Sequence, residues 1–348
     1  MVSLMIQEPG IIRIGYLSTV YHTSFLLKGT GVLQQSGIAA AWTLFASGPD
    51  MVHAMSEGDL DLGYIGLPPV IIGRDQGADL SCIAGGHIEG TVLVAGVEVR
   101  TLKECSGIPD LLSQFQGRAI GCPPKGSIHD IILRALLQEY GVADVRVINY
   151  PWADFIPDAL TRGEVAAGAG TPALAVAACR YAGAKIVGPP ESLWPYNPSY
   201  GIVIPGDTAI SRGLLSRFLI VHEAACEHIR HDPSGCARVV SAETGMVDPD
   251  FVLAAYRISP KFCAALPDEY LASTMRFARA LEYLGYISAP SREDQLFDLS
   301  LIRKIHPSPP HYQAGLATTR NFSQLLRMDD IPAKSSRLSG ASPGSPPE

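Results

Sequence analysis

The sequence predicts an α/β protein of two lobes, each a mixed, mostly parallel sheet flanked by helices, with a cleft between them. Three observations carry that prediction. Short β-branched runs alternate with helical patterns along most of the chain. The same order of elements returns about 105 residues later. With 348 residues, 47% of them apolar, the chain exceeds the usual length of one domain and can bury a sizeable core.

The first unit reads as a strand at residues 11–17, a helix from about Thr23, a strand at 40–45, a helix from Pro49, a strand at 61–66, a helix from Pro68 and a strand at 80–86. The second reads as a strand at 118–123, a helix beginning at Ser127, a strand at 145–150, a helix from Ala153, a strand at 165–170, a helix from Thr171 and a strand at 184–188. The match reaches single residues. Ile14-Gly15 pairs with Ile120-Gly121, His22 with His129, and Gly66-Leu67-Pro68 with Gly170-Thr171-Pro172. After Tyr200 a strand GIVIPG precedes helices at 211–230, from Asp248 and at 267–286, expected to pack back on the first lobe. Lobe 1 is therefore assigned residues 1–100 and 202–330, and lobe 2 residues 101–201. The Ser/Pro/Gly-rich stretch 331–348 cannot bury enough apolar area to offset its chain entropy and is expected to be disordered.

The net charge of −7 argues against nucleic acid and anionic membranes, which need a basic face. Seven cysteines, an odd number without CxxC spacing and mostly inside apolar runs, read as buried free thiols of a reducing compartment. The first residues show no basic region and no cleavage site, and no later run holds 18 uninterrupted apolar residues. The expectation is a cytoplasmic chain as numbered, periplasmic or at the cell surface if a leader has been removed, with no integral membrane segment.

The segments IRIGYL, SEGDLDLGYIGLPP, IGCPPKGSIHDIILRALL and RGEVAAGAGTPALA, with the duplication, resemble the type II periplasmic substrate-binding fold. Within it they are most similar to the nitrate/sulfonate/taurine and thiamine-pyrimidine-precursor group of ABC-transporter binding proteins. The resemblance spans about residues 11–290 and implies a solute-binding protein whose two lobes clamp a small anionic or heterocyclic ligand, of sulfonate, carboxylate or pyrimidine-precursor type. It also implies an ABC-transporter permease as partner. The alternative is a cytosolic enzyme of the same fold, a menaquinone-type lyase or a thiamine-pyrimidine synthase, because relatives of the fold include such enzymes and no leader is visible. Gly170-Thr171-Pro172-Ala173 departs from the aromatic-acidic pair of many members, which leaves the ligand class open.

Ligands of open α/β sheets sit beyond the carboxyl ends of the strands. The candidate ligand-binding residues there are Ser18, Thr19, Tyr21, His22, Gly66, Leu67, Pro68, His87, Lys125, Gly126, Ser127, His129, Trp152, Asp154, Gly170, Thr171, Tyr196 and Asn197. Lys125 and the helix start capped by Ser127 could converge on an anion, although the Walker spacing is absent. Aromatic rings at Trp152, Trp194, Tyr196 and Tyr200 could wall a planar ligand. His22, His87 and His129 offer hydrogen bonds, while Glu89 and Asp154 are the nearest carboxylates for general-base work. No catalytic constellation, cofactor or metal site is expected. Cys226, His228, His231 and Cys236 resemble a ligand set on paper, but their spacing puts them on different faces of one helix and its loop. Cys122 ends a cleft-side strand without an evident base to activate it.

Overall fold

The structure, a computed structural model, describes residues 11–307 and 309–317. The predicted disordered stretch 331–348 lies outside them. The strands, in chain order, are β1 (Ile12–Leu17), β2 (Ala40–Phe45), β3 (Leu62–Ile65), β4 (Leu80–Ile88), β5 (Val92–Gly96), β6 (Ala119–Cys122), β7 (Arg146–Asn149), β8 (Ala167–Gly170), β9 (Ala184–Gly188) and β10 (Pro198–Pro205). They build two sheets, ordered β2-β1-β3-β10-β4 and β7-β6-β8-β5-β9. In each, the leading strand pairs in parallel with its two neighbours, and the fourth strand runs antiparallel to both of its own.

The duplication holds at the level of packing. Gly15 pairs with Gly63 across β1 and β3, and Gly121 with Gly168 across β6 and β8. A methyl at Gly63 would stand 2.0 Å from Met55 Cε, and one at Gly168 would stand 2.7 Å from Ile156 Cγ2. In both lobes a pair of side-chain-free positions lets a helix lie directly on the sheet, and any Cβ there would break close packing. The helices start as their residues direct. Ser127 Oγ accepts the Asp130 N–H, Thr171 Oγ1 accepts the Leu174 N–H, and Pro172 occupies the first turn of Pro172–Tyr181.

Two expectations change. Strand β5 belongs to the second sheet and β10 to the first, so the chain crosses between lobes at residues 89–91 and 189–197, not at 100/101 and 201/202. The run VLVAG follows β4 after only three residues, and no periodicity separates the two strands. The C-terminal helices also reach beyond the first lobe. Helix Pro249–Ile258 packs on Pro172–Tyr181 of lobe 2, where Arg180 pairs with Asp248 at 2.8 Å. Helix Asp268–Tyr283 packs on Leu67–Asp75 of lobe 1 and Ile128–Glu139 of lobe 2, and its Arg276 pairs with Glu139 at 2.8 Å. Among the described residues, no helix is long and apolar enough to cross a membrane.

Candidate functional site

The two crossings between lobes run side by side. Glu89 and Tyr196 both adopt left-handed backbone, φ 60° and 56°, a conformation rare for residues with side chains and held by neighbouring bonds. The Glu89 N–H donates to the Asn197 carbonyl at 2.8 Å, and the Tyr196 N–H donates to Glu89 Oε1 at 3.0 Å. Glu89 Oε2 pairs with Lys261 at 2.5 Å, so this buried carboxylate is engaged in the crossing and is not offered to a substrate.

At the carboxyl ends of β1, β3 and β4, next to these crossings, a set of buried polar side chains gathers. Tyr200 stands opposite His87 across β10 and β4. The Tyr21 ring contacts His22 and His87, with centroids 5.2 and 4.7 Å apart, and the His22 ring lies 4.1 Å from that of Tyr200. Tyr21 and Ser199 hydroxyls are 3.0 Å apart. Behind them, the Tyr200 hydroxyl accepts the Thr23 N–H, and Thr23 Oγ1 lies 3.1 Å from His222 Nδ1. The His222 ring is fixed on its other side by the Gly85 carbonyl. A methyl at Gly66 would stand 3.3 Å from the Ser199 carbonyl and 3.8 Å from Ile128 Cβ, which marks where the lobes approach. From the first crossing, Thr91 Oγ1 reaches toward lobe 2 and lies 2.8 Å from His129 Nδ1.

Burial keeps this cluster uncharged. Desolvation, reinforced by the proximity of His87, lowers His22 well below the ordinary imidazole value. The same burial brings His87 to about 3 and His129 to about 4. The His87 Nε2–H donates to the Ser259 carbonyl at 2.7 Å, so its Nδ1 carries a bare lone pair. The Nδ1 atoms of His22 and His87, Ser24 Oγ and Asn197 Oδ1 are buried and have no hydrogen-bond partner among the described residues. Orphaned buried groups are uncommon in folded proteins, and two of these four, on His22 and His87, belong to rings that touch the same Tyr21 ring.

The second lobe behaves differently. The helix start at Pro123–Ser127 already holds a carboxylate. Asp130 Oδ2 accepts the Gly126 N–H at 2.9 Å and the Tyr286 hydroxyl at 2.6 Å, and its Oδ1 binds Arg134 and Asn149. Lys125 is exposed and lies over the Tyr286 ring at 5.5 Å. Ser127 and Thr171 serve as helix caps, and Trp152 and Asp154 are exposed. Trp194 stacks on Phe277 at 4.2 Å, with its Nε1–H donated to Ser273, and so anchors a helix instead of walling the cleft.

The predicted site residues therefore divide. Tyr21, His22, Gly66, His87 and Asn197 come together on lobe 1, and His129 faces them from lobe 2. Ser18 and Thr19 lie in the adjoining turn after β1, Leu67 and Pro68 open helix Leu67–Asp75, and Tyr196 forms the crossing. Lys125, Gly126, Ser127, Trp152, Asp154, Gly170 and Thr171 are held by other partners or exposed, and are not joined to that cluster by the hydrogen bonds and ring contacts that build it. Tyr200, expected only as a possible wall ring, joins it, and so do Thr91 and Ser199, which were absent from the predicted set. Only the antiparallel pairing of β10 with β4, invisible in sequence order, sets Ser199 and Tyr200 there. The Cys122 thiol is held well up by burial, with the Asp130 charge adding to it. Cys226 and Cys236 are buried while His228 and His231 are exposed, so these four do not converge.

A hollow of about 920 Å³, bordered by Arg13, His53, Asp61 and Leu80, sits at the amino ends of β1, β3 and β4, away from the edge where such sheets bind ligands.

Comparison with known proteins agrees with this architecture. Residues 7–212 match the NMT1-like family. The chain belongs to that family. The periplasmic aliphatic sulphonate-binding protein SsuA from Escherichia coli superposes with a TM-score of 0.69 at 19% identity, covering 82% of this chain and 91% of that one. The periplasmic nitrate-binding protein NrtA from Synechocystis PCC 6803 superposes with a TM-score of 0.69 at 12% identity, covering 85% and 88%. At such identities the likeness concerns the fold, which is that of the periplasmic binding proteins. A curated relative from Brucella abortus (strain 2308), named as a binding protein, is 27% identical over 143 residues, 40% of this chain. The matched region spans 41% of that relative's length.

Proposed function

We propose that this protein is the solute-binding component of an ABC-type importer and that it closes two lobes over a small ring-bearing ligand with N–H or O–H donors. The observation that carries this reading is the pair of buried, unpartnered Nδ1 atoms on His22 and His87, whose rings both contact that of Tyr21. The unprotonated nitrogen of a neutral imidazole accepts a hydrogen bond, and an aromatic wall favours a planar partner. Of the ligand types expected from the sequence, the heterocyclic one has this support. The anionic one has less, because the helix start that would hold it is filled by Asp130 and Lys125 points to Tyr286. Binding is favoured over chemistry because Glu89 is engaged by Lys261 and the buried histidines are uncharged near neutrality.

The test is native mass spectrometry of the purified full chain, then calorimetric titration with an aminopyrimidine, an alkanesulfonate and nitrate. The aminopyrimidine should bind tightest. His22→Ala and His87→Ala should each weaken it by about tenfold, the worth of one buried hydrogen bond. Lys125→Ala should change affinity by less than about twofold, as expected of an exposed charge. An anion that binds tightest and depends on Lys125 would overturn the reading, and a mass change in the bound ligand would replace it with the enzyme alternative.

A further inference from the structure

Behind the wall that carries His87, four side chains with lone pairs meet at one point. Glu223 comes from helix Arg212–His231, Cys263 from the segment after helix Pro249–Ile258, and His306 and His311 from the C-terminal segment. Cys263 Sγ lies 3.3 Å from His306 Nε2, which is 3.2 Å from His311 Nδ1 and 3.8 Å from Glu223 Oε1. His311 Nδ1 is 3.6 Å from that same oxygen. All four donor atoms fall within 4.8 Å of one another. The corners of a tetrahedral zinc site, with ligands about 2.0–2.3 Å from the ion, stand about 3.3–3.6 Å apart. The four distances bracket that edge length.

We propose that Glu223, Cys263, His306 and His311 form a four-ligand site for a zinc-class divalent cation, a metal clip separate from the cleft. Hydrogen bonding alone accounts poorly for the arrangement. His306 Nε2 carries at most one proton, yet sulfur, nitrogen and oxygen all face it; a cation serves every one of them at once.

The surroundings are those of a ligand shell. Cys263 Sγ accepts two backbone N–H groups, from His311 at 3.3 Å and Ala265 at 3.5 Å, a pattern that favours a sulfur bearing negative charge. Glu223 Oε2 accepts the Ala264 N–H at 2.6 Å, which orients the carboxylate and leaves Oε1 toward the cluster. Arg230 donates to the Phe262 carbonyl at 2.7 Å and to Glu223 Oε1 at 3.1 Å. Its terminal nitrogen is also 3.3 Å from His311 Nδ1, a contact the metal would replace while the other two persist as outer support. Thiolate and carboxylate together offset the charge of a dication.

Cys263 and His306 are buried, and the His311 side chain, 44% exposed, gives an ion its entry. His306 and His311 stand in an H-x₄-H spacing, within the zinc-ligand range. The clip would join the C-terminal segment to the stretch Cys263–Ala265, which pairs with Gly85 and Gly86 immediately before His87. It would thereby brace the cleft wall from outside.

The test uses the full chain, stripped by chelator and titrated with cobalt(II) alone, followed by ultraviolet and visible absorption. One cobalt per chain should bind with a thiolate-to-metal charge-transfer band and the intense visible bands of four-coordinate geometry. Cys263→Ser should abolish the charge-transfer band, and Cys226→Ser, a buried thiol outside the cluster, should keep it. Because Cys263→Ser changes a buried position, His311→Ala at the half-exposed ligand is the second variant. It should weaken cobalt binding by about a hundredfold or more with the circular dichroism unchanged. Absence of the band in the wild-type chain, or its survival in Cys263→Ser, would overturn the proposal.

Discussion

Between about pH 6.5 and pH 4, the unfolded chain takes up protons on histidines that the folded chain keeps neutral. His87 is packed among Tyr21, Tyr200 and Phe262, and its burial, with Lys261 adding an opposing charge, brings it to about 3. His129 is also buried, but the neighbouring Asp130 works in the opposite direction, and it stays at about 4. Folded-state values below the unfolded one mean that stability is full above about pH 6.5 and is lost as pH falls toward the folded values. At pH 5 these two histidines are nearly all charged in the unfolded chain and nearly all neutral in the folded one. Unfolding then takes up about two protons, and stability falls by about 2.5 kcal/mol per pH unit from this pair alone. His22 and His222, also lowered by burial, act in the same direction. Urea denaturation of the full chain at several pH values between about 7 and 5, above the main carboxylate range, measures that slope. His87→Gln and His129→Gln should each remove about 1.2–1.3 kcal/mol per pH unit from it. A stability that stays level across that window would refute the reasoning.

Two further substitutions probe the framework. Asp130→Asn removes the carboxylate that gathers Gly126, Arg134, Asn149 and Tyr286, and should lower the unfolding free energy by about 2–4 kcal/mol in urea denaturation. Gly86→Ala would place a methyl 2.0 Å from the Tyr200 ring, and should destabilise by about 1–3 kcal/mol while lowering the affinity for the cleft ligand, read by thermal denaturation and calorimetry.

The alternation of strands and helices was legible in the sequence because period and turn residues are local. Strands β2 and β9 fall at 40–45 and 184–188 as read. Strand β5 was not legible, since only its partners β8 and β9 distinguish it from a continuation of β4. The cleft shows the same limit. Tyr21, His22 and His87 stand at strand ends where the general rule looks for ligands. Lys125 and Ser127 stand at an equally good place, and no local signal reveals that Asp130, one turn into the same helix, folds its carboxylate back onto the helix start. His306 and His311 carried a readable spacing, but their partners Glu223 and Cys263 lie 83 and 43 residues away from His306 and become neighbours only through tertiary packing.

The exchange of strands between sheets has a consequence for synthesis. The second sheet draws all its strands from one continuous stretch and is complete once Gly188 has emerged. The first must wait for β10, which sits between β3 and β4 and ends at Pro205. Until then, β3 and β4 each present an unpaired edge to the surrounding solution, the kind of edge that recruits foreign strands. The half of the molecule that is made first is thus the half that closes last, and a nascent chain halted after Gly188 and before Pro198 would hold one complete sheet and one sheet still split in two.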